Sequence, residues 1–396
     1  MNNDKMSETS TSVHRKIDEI AELLYASCDE EFGLYSGNAG RVLFLFYYAR
    51  YKNSASIHQR ASELIDHLFS QVEASISPSF SFCSGIAGVG WLLDHLCKQR
   101  FLLTNSDDVL SNIDGYLYQT AVGELSNRHY DFIHGAMGMV FYLIKRYQRD
   151  YLRLLVQLLD HLAVWDDASA KWESVIKYEE GVMGYSIALS HGCSSLALIL
   201  CKILQIMPED ETTIKVLRGT IRYICNQEIS VKKYGCYFPA FSIESQPKLY
   251  KTRLAWCYGD LGIAFAIWKT GVHFHIQALK EKGMEILCHA AERRGLLEND
   301  VVDAGICHGT AGLAQIFNRM FRNTQRIEFQ RAANYWCMET LNMAKFEDGL
   351  AGYKAMVRGG RQTRYNLLEG IAGIGLSLLS FVMPEDPAWD ECLLLS

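Results

Sequence analysis

Two related stretches decide the fold of this chain: TRLAWCYGDLG at residues 252–262 and AGICHGTAGLA at residues 304–314. Each places a cysteine two residues before a Gly-x-x-Gly turn, and the second adds a histidine directly after its cysteine. Cys257, Cys307 and His308 therefore offer two thiolates and one imidazole. Zinc with three such ligands keeps a fourth position open for water or substrate, whereas a structural zinc usually has four protein ligands. The pattern predicts a catalytic site with one zinc per chain.

The glycine turn recurs seven times, and successive first glycines lie 48 to 67 residues apart. The seven copies are SGNAG at Gly37, SGIAG at Gly85, HGAMG at Gly135, HGCSS at Gly192, YGDLG at Gly259, HGTAG at Gly309 and EGIAG at Gly370. Only the fourth copy lacks the second glycine. This spacing has room for two helices per repeat, and repeats of this length are typical of helical arrays.

Both helices of a repeat can be recognised from their hydrophobic pattern. Each turn precedes an apolar run such as VLFLFYYA at residues 42–49, which is hydrophobic on nearly every side, as in an enclosed helix. The next helix is amphipathic, with apolar residues at helical spacing: Ile57, Ala61, Leu64, Ile65 and Leu68. Six prolines and few alternating patterns favour an all-helical chain.

Seven helical pairs can form an open solenoid or a closed ring. The ring is favoured because the turns carry reactive residues far apart in sequence, which only a closed arrangement brings together. We therefore predict an all-α, double-layered (α/α)7 barrel of seven inner and seven outer helices, the inner seven starting at the glycine turns. The aromatic stretch YGCYFPAFS at residues 234–242, within the long interval 205–251, predicts a loop or short hairpin, either a lid or plain packing.

Composition excludes several classes of function. The net charge of −6 and the lack of a basic stripe argue against a nucleic-acid partner. No apolar run approaches the roughly 20 residues of a membrane-spanning helix, and the amino terminus lacks the apolar core of a secretory signal. Twelve cysteines are too sparse for a disulfide scaffold and fit a reducing compartment. We expect a cytoplasmic protein with no intrinsic membrane segment.

Alignment of the turns on their first glycine brings further polar residues to equivalent positions. Two residues before the glycine, a third cysteine occurs at Cys83, which we predict to be a buried free thiol because its repeat lies far around the ring. Directly before the glycine stand His134, His191 and Tyr258 in repeats three to five. We favour His191 over His134, since its repeat lacks the second glycine.

Two charged residues lie just upstream of the turn motifs. Asp131 precedes Gly135 by four residues, and it is either a helix N-cap or a partner that orients an imidazole. Arg253 precedes Cys257 by four residues and is most simply a surface cation. Beside a metal it could instead hold a carboxylate or balance thiolate charge.

These motifs together resemble the LanC-like lanthionine synthetase cyclases. The resemblance rests on RxxxCYG at residues 253–259, CHG at 307–309, SHG at 190–192, YDxxxG at 130–135 and the repeated turns. It spans essentially the whole chain, so residues 1–396 are expected to form one domain with a polar tail at residues 1–15. Cys193-Ser194-Ser195 departs from the family pattern, in which a glycine is more usual, and makes the local backbone less certain.

The resemblance implies zinc bound by Cys257, Cys307 and His308, with a substrate thiol in the fourth position. That thiol attacks a dehydroalanine or dehydrobutyrine of the same peptide and closes a thioether ring. The implied acid–base histidine is His191 and the implied aspartate Asp131. The other implied catalytic residues are Arg253 and Tyr258.

The expected partners are a dehydrated precursor peptide, a separate dehydratase and an exporter. The dehydratase is expected because this chain shows no kinase-like domain to make dehydro residues. Other readings stay open. A LanC-like enzyme that adds glutathione to dehydro residues in proteins would share every motif, and a peptide-binding scaffold would use zinc only as a brace. A glycosidase or terpene cyclase fits poorly, because no DDxxD-like cluster occurs.

Overall fold

The computed structural model describes residues 2–26, 31–177, 180–245 and 252–396. Most of them are helical. The helices are α1 (Asn2–Ala26), α2 (Asn38–Lys52), α3 (Ala55–Ala74), α4 (Ile86–Lys98), α5 (Asp107–Ser126), α6 (Ala136–Lys145), α7 (Arg149–Leu162), α8 (Cys193–Ile206), α9 (Glu211–Cys225), α10 (Val231–Tyr234), α11 (Asp260–His273), α12 (Gln277–Glu292), α13 (Thr310–Thr324), α14 (Ile327–Asn342) and α15 (Ile371–Val382). None of these helices has the length and apolar character needed to cross a bilayer.

Seven helices begin directly after the first glycine of a repeated turn, as predicted. These helices, each with its N-cap glycine, are α2 (Gly37), α4 (Gly85), α6 (Gly135), α8 (Gly192), α11 (Gly259), α13 (Gly309) and α15 (Gly370). Every residue of α6 except Lys145 is buried, and α8 and α11 are buried almost as completely. The apolar runs that follow the turns therefore form enclosed helices.

The seven long helices that alternate with these are α1, α3, α5, α7, α9, α12 and α14. In α3 the buried residues are Ala61, Leu64, Ile65 and Leu68, which match the predicted apolar face, while Ile57 is half-buried. Ser54 begins α3 by accepting a hydrogen bond from the amide of Ile57. The prediction of one enclosed and one amphipathic helix per repeat is confirmed.

The glycines of the turns are needed for two different reasons. A Cβ on Gly138 in α6 would lie 2.4 Å from the carbonyl oxygen of Phe132 and 2.5 Å from the Cβ of Phe82, so only glycine allows the chains to approach this closely. Gly259 has φ of +90°, whereas the other six first glycines have extended backbone with negative φ. At Gly259 a side chain would therefore strain the backbone.

The chain divides into two compact units, of which the first comprises Met1–Ser79, Cys83–Leu103 and Arg294–Ser396. Within this unit α15 packs against α13, α1 and α2, so the last turn helix meets the first. A C-terminal 3-10 turn at Ala388–Leu393 is largely buried in the same unit. There the carboxylate of Asp390 accepts hydrogen bonds from Arg319 at 2.7 and 2.8 Å. A hairpin of β5 (Ala355–Val357) and β6 (Gly360–Gln362) follows α14.

The second unit comprises Phe80–Phe82 and Thr104–Arg293. Within it α8 packs between α6 and α11, and α9 packs against α8. Two antiparallel hairpins precede α8: β1 (Val164–Asp166) with β2 (Ser169–Lys171), and β3 (Glu173–Lys177) with β4 (Val182–Tyr185). The assignment of residues 1–396 to one domain stays a prediction.

Of two segments singled out from the sequence, one differs from its prediction and one agrees with it. The predicted polar tail at residues 1–15 is helical from Asn2, and Val13 is buried because it shares an apolar face with Ile17. Residues 235–242 form a loop after α10, which agrees with the loop alternative, and the hairpins lie elsewhere in the chain. Residues 246–251 of the long interval lie outside the described residues.

Candidate metal centre and aspartate–histidine pair

Main-chain hydrogen bonds link the equivalent turns two residues before their glycines. In the first unit the amides of Cys307, Leu368 and Tyr35 donate to the carbonyl oxygens of Leu368, Tyr35 and Cys83 at 2.9, 3.2 and 2.9 Å. The predicted alignment of the turns therefore corresponds to real contacts between them. Cys83 is buried and forms no disulfide bond, which agrees with the prediction.

The same link occurs in the second unit between the turns of repeats four and five. The amide and the hydroxyl of Ser190 both donate to the carbonyl oxygen of Cys257, at 3.3 and 3.1 Å. Ser195 replaces the second glycine of repeat four, yet Gly192 keeps the extended backbone of the other turns and α8 starts normally. The departure from the family pattern leaves this turn intact.

The structure brings the three predicted metal ligands together. The sulfur atoms of Cys257 and Cys307 and a ring nitrogen of His308 all lie within 4.8 Å of one another. In a tetrahedral site with Zn–S bonds of about 2.3 Å, two sulfurs are about 3.8 Å apart, which is compatible with the 4.8 Å limit. Thiolate and imidazole are ligands that favour zinc over hard cations such as Mg²⁺ and Ca²⁺. The donor set fits zinc.

His308 has a buried partner that sequence reasoning missed. An Oδ2 atom of Asp303 lies 3.3 Å from Nε2 of His308, and only 2% of the Asp303 side chain is exposed. Burial alone would raise the pKa of Asp303, but His308 and main-chain hydrogen bonds outweigh it and hold that pKa below its ordinary value. In the sequence, Asp303 stands six residues before Gly309. Asp131 stands four residues before Gly135, so the two acids do not occupy equivalent positions in the aligned turns.

Glu369, directly before the last turn glycine, is also near this histidine. Burial raises the pKa of its carboxyl, while the charges of His308 and Arg364 act in the opposite direction. Its amide donates to Oδ1 of Asn366 at 3.0 Å, and so does the amide of Gly370. Asn366 thus orders the turn from the position that Asp131 occupies in repeat three.

Asp131 and His191 form a second buried aspartate–histidine pair. Oδ2 of Asp131 contacts Nδ1 of His191, and Oδ1 accepts hydrogen bonds from the amides of Ile133 and His134 at 2.6 and 2.8 Å. The contact agrees with the alternative in which Asp131 orients an imidazole. The N-cap alternative is wrong, because the N-cap of α6 is Gly135 and the Asp131 carboxylate bonds to amides of the turn before the helix. The predicted preference for His191 as the oriented histidine agrees with this contact.

The two charges of this pair reinforce one another. Burial alone would raise the pKa of Asp131, but the charge and hydrogen bond of His191 lower it. Burial alone would lower the pKa of His191, but the Asp131 carboxylate raises it above its ordinary value. His191 is therefore more readily protonated than a histidine in water.

Two further rings, those of His134 and Tyr258, lie close to the His191 ring. His134 stacks on it with ring centroids 6.1 Å apart, and Tyr258 lies 5.7 Å away on a tilted ring. Burial lowers the pKa of His134, and the neighbouring His191 acts in the same direction against Asp131. Phe241, in the loop at residues 235–242, contacts the Tyr258 ring edge-on at 5.8 Å. Arg253 is half-buried in the turn before Cys257, and its catalytic role stays a prediction.

The chain resembles known proteins along its whole length. A family model described as lanthionine synthetase C-like protein matches residues 29–394. The nisin biosynthesis protein NisC of Lactococcus lactis subsp. lactis is 24% identical over 391 residues, which cover 92% of this chain and 89% of that protein. The solved structure of nisin cyclase matches with a TM-score of 0.76 at 20% identity and covers 100% of this chain and 98% of that chain.

The structural likeness confirms the predicted all-α, double-layered (α/α)7 fold class. The family match confirms the resemblance inferred from the cysteine and glycine motifs, and it includes every residue predicted for the site. This chain belongs to the family of lanthionine synthetase C-like proteins.

Proposed function

We propose that this chain is a zinc-dependent lanthipeptide cyclase. It would add a peptide cysteine thiol to a dehydroalanine or dehydrobutyrine of the same peptide and so form a lanthionine or methyllanthionine ring. The observation that carries the proposal is the convergence of Cys257, Cys307 and His308 within 4.8 Å in a member of this family. The names of the similar proteins, a nisin cyclase and a nisin biosynthesis protein, support it.

Cys257, Cys307 and His308 would hold one zinc per chain. When bound, zinc would lower the pKa of an incoming substrate thiol and present it as a thiolate. Two protein thiolates and a neutral imidazole balance the charge of the ion, so the three residues leave the substrate sulfur electron-rich. Three protein ligands also leave one position for that sulfur.

His191 is proposed to handle the proton. During the addition a bond forms between the sulfur and the β-carbon, and the electron pair of the double bond moves toward the α-carbon and carbonyl oxygen. The thiol loses one proton and the α-carbon gains one, so one histidine that accepts the first and delivers the second balances the reaction. Asp131 contacts Nδ1, which leaves Nε2 for this exchange.

Tyr258 and Arg253 are proposed to stabilise the enolate oxygen or position the peptide. The Tyr258 ring lies beside that of His191, the proposed acid, and a tyrosine hydroxyl can donate a hydrogen bond to a developing oxyanion. Arg253 is assigned from the family motif, as a cation that would favour the developing negative charge.

The proposed substrate is a precursor peptide already dehydrated by a separate enzyme, and an exporter would receive the product. We place the reaction in the cytoplasm. None of the eleven cysteines among the described residues forms a disulfide bond, which fits a compartment that keeps thiols reduced.

The test uses a synthetic peptide with one dehydrobutyrine and one cysteine. Ring closure leaves the mass unchanged, so the product is recognised by its loss of reaction with a thiol alkylating reagent in mass spectrometry. The wild-type protein should contain about one zinc per chain and close the ring. Cys307→Ala should lose the zinc and the activity, whereas His191→Ala should keep the zinc and lose activity by about 10²–10⁴-fold.

The outcomes separate the rival functions. Modification of the peptide only after glutathione is added, seen as a mass increase, would favour glutathione transfer to dehydro residues. Full activity of both His191→Ala and Asp131→Ala, together with unfolding of Cys257→Ala, would favour a peptide-binding scaffold braced by zinc. Wild-type protein without zinc would overturn the proposal.

A further inference from the structure

We propose that Asp303 is a positioning residue for the metal: its carboxylate fixes the His308 ring so that Nε2 carries the proton and Nδ1 faces the two cysteine sulfurs. This inference rests on the metal site of the proposed function. It adds a residue that contacts the proposed zinc ligand His308 and would act on the metal through it.

The Asp303 carboxylate is held rigidly from two directions. Oδ1 accepts a hydrogen bond from the amide of Gly305 at 3.0 Å, within the same turn. Oδ2 accepts one from the amide of Met356 in β5 at 2.8 Å. The β5–β6 hairpin is tied to the same stretch a second time, since Arg361 donates to the carbonyl oxygen of Val302 at 3.0 Å. A group fixed in this way can direct a side chain that contacts it.

The contact between Asp303 and His308 determines which ring nitrogen carries the proton. Oδ2 lies 3.3 Å from Nε2, and an ionised carboxylate can only accept hydrogen bonds. A neutral imidazole has one N–H and one lone pair, so donation from Nε2 leaves the lone pair on Nδ1. Partners of this kind orient metal-binding histidines and increase their basicity.

The Asp131–His191 pair has the opposite arrangement. Asp131 contacts Nδ1 of its histidine, whereas Asp303 contacts Nε2 of its histidine. Both carboxylates also order the main chain of their own turn. Two turns of the repeat thus use the same pairing to direct different nitrogens, one toward a metal and one toward a proton.

The first test measures zinc affinity by competition with a chromophoric chelator. We expect Asp303→Asn to bind zinc about 10–100-fold more weakly than wild type. The asparagine keeps one acceptor oxygen but presents an amide donor where both Nε2 and the Met356 amide need an acceptor. Asp390→Asn is the control, because Asp390 is equally buried in the same unit and bonds to Arg319 rather than to His308. It should keep wild-type zinc affinity.

A second pair of variants tests whether Asp303 acts by orienting His308 or only by stabilising the main chain of the turn. In His308→Cys, the third ligand is a thiolate, which needs no partner to select a nitrogen. Adding Asp303→Asn should then leave zinc affinity unchanged or increase it, since a carboxylate beside a thiolate is repulsive. An equal loss in both backgrounds would mean that Asp303 supports only the backbone and would overturn the proposal.

A wild-type measurement keeps the proposal testable if the variants fold poorly. In cadmium-substituted protein with nitrogen-labelled histidine, NMR coupling to the metal should appear at Nδ1 of His308, with a proton on Nε2. Coupling at Nε2 would overturn the inference even if the chain binds zinc and closes rings. Wild-type protein that binds no metal would instead remove the proposed function itself.

Discussion

The contribution of the Asp131–His191 pair to stability depends on pH, because both groups titrate. The pKa of Asp131 is lowered, so its contribution is present above its unfolded pKa of about 3.9 and is lost as the pH falls through the folded value. The pKa of His191 is raised, so its contribution is present below its unfolded pKa of about 6.5 and is lost as the pH rises through the folded value. Both are present together between about pH 4 and pH 6.5.

We expect Asp131→Asn to lower the melting temperature most within this window and less at pH 8.5. At its largest the loss should be about 1–3 kcal/mol, because a buried hydrogen bond to a charged group is removed. The measurement compares melting temperatures of variant and wild type across the pH range. Glu124→Gln is the control, since Glu124 contacts His129 at the partly exposed surface and should contribute little. A loss that does not change with pH would contradict the expectation.

The residues of the site differ in how far the sequence could predict them. Cys257, Cys307 and His308 stand at fixed positions in a repeated turn, so alignment of the chain with itself identified them. The contact between Asp303 and His308 has no such signal, because it depends on where the hairpin holds the carboxylate. Local patterns identify ligands, and tertiary packing decides which groups orient them.

Among the secondary-structure elements, the helices that follow the glycine turns could be predicted from the sequence, whereas the hairpins could not. Seven enclosed helices were predictable because a copy of the repeated glycine turn precedes each apolar run. The β5–β6 hairpin was missed because its strands have three residues each and show no alternating pattern. The adjacent Gly359 and Gly360, both with positive φ, were the signal that could have identified it.

The glycines inside the turn helices should be intolerant of any side chain. We expect Gly138→Ala to destabilise the fold by about 1–3 kcal/mol, because the methyl group would overlap the Phe132 carbonyl and Phe82. Gly123→Ala is the matched control within α5, where nothing lies within 4 Å of an added Cβ. That change should instead stabilise the helix by about 0.5–1 kcal/mol. Melting temperatures that rise for both variants would show that the α6 contact is not tight.

The two ends of the chain meet in the first unit. The last turn helix packs against α1 and α2, and the Tyr35 hydroxyl donates to the carbonyl oxygen of Cys392. The sequence predicted this closure only in outline, from the argument that distant reactive turns must converge. It did not predict that Asp390 of the C-terminal turn would be fully buried against Arg319.

We expect the Asp390 carboxylate to contribute strongly to the stability of the region where the chain ends meet, because its partner Arg319 is buried. Only 3% of the Arg319 side chain is exposed, so Asp390→Ala would leave a guanidinium charge without its buried partner. We expect a loss of about 3–5 kcal/mol in unfolding free energy. Asp386→Ala removes the other carboxylate on Arg319, which is 60% exposed, and should cost at most about 1 kcal/mol.

Thermal and urea unfolding of the two variants beside wild type would measure this difference, and Asp390→Asn should fall between them because it keeps one acceptor oxygen. Equal, small losses for Asp390→Ala and Asp386→Ala would mean that water reaches Arg319 and replaces its partner. The C-terminal turn would then be a surface attachment, and the contacts of α15 with α1 and α2 alone would join the ends of the chain.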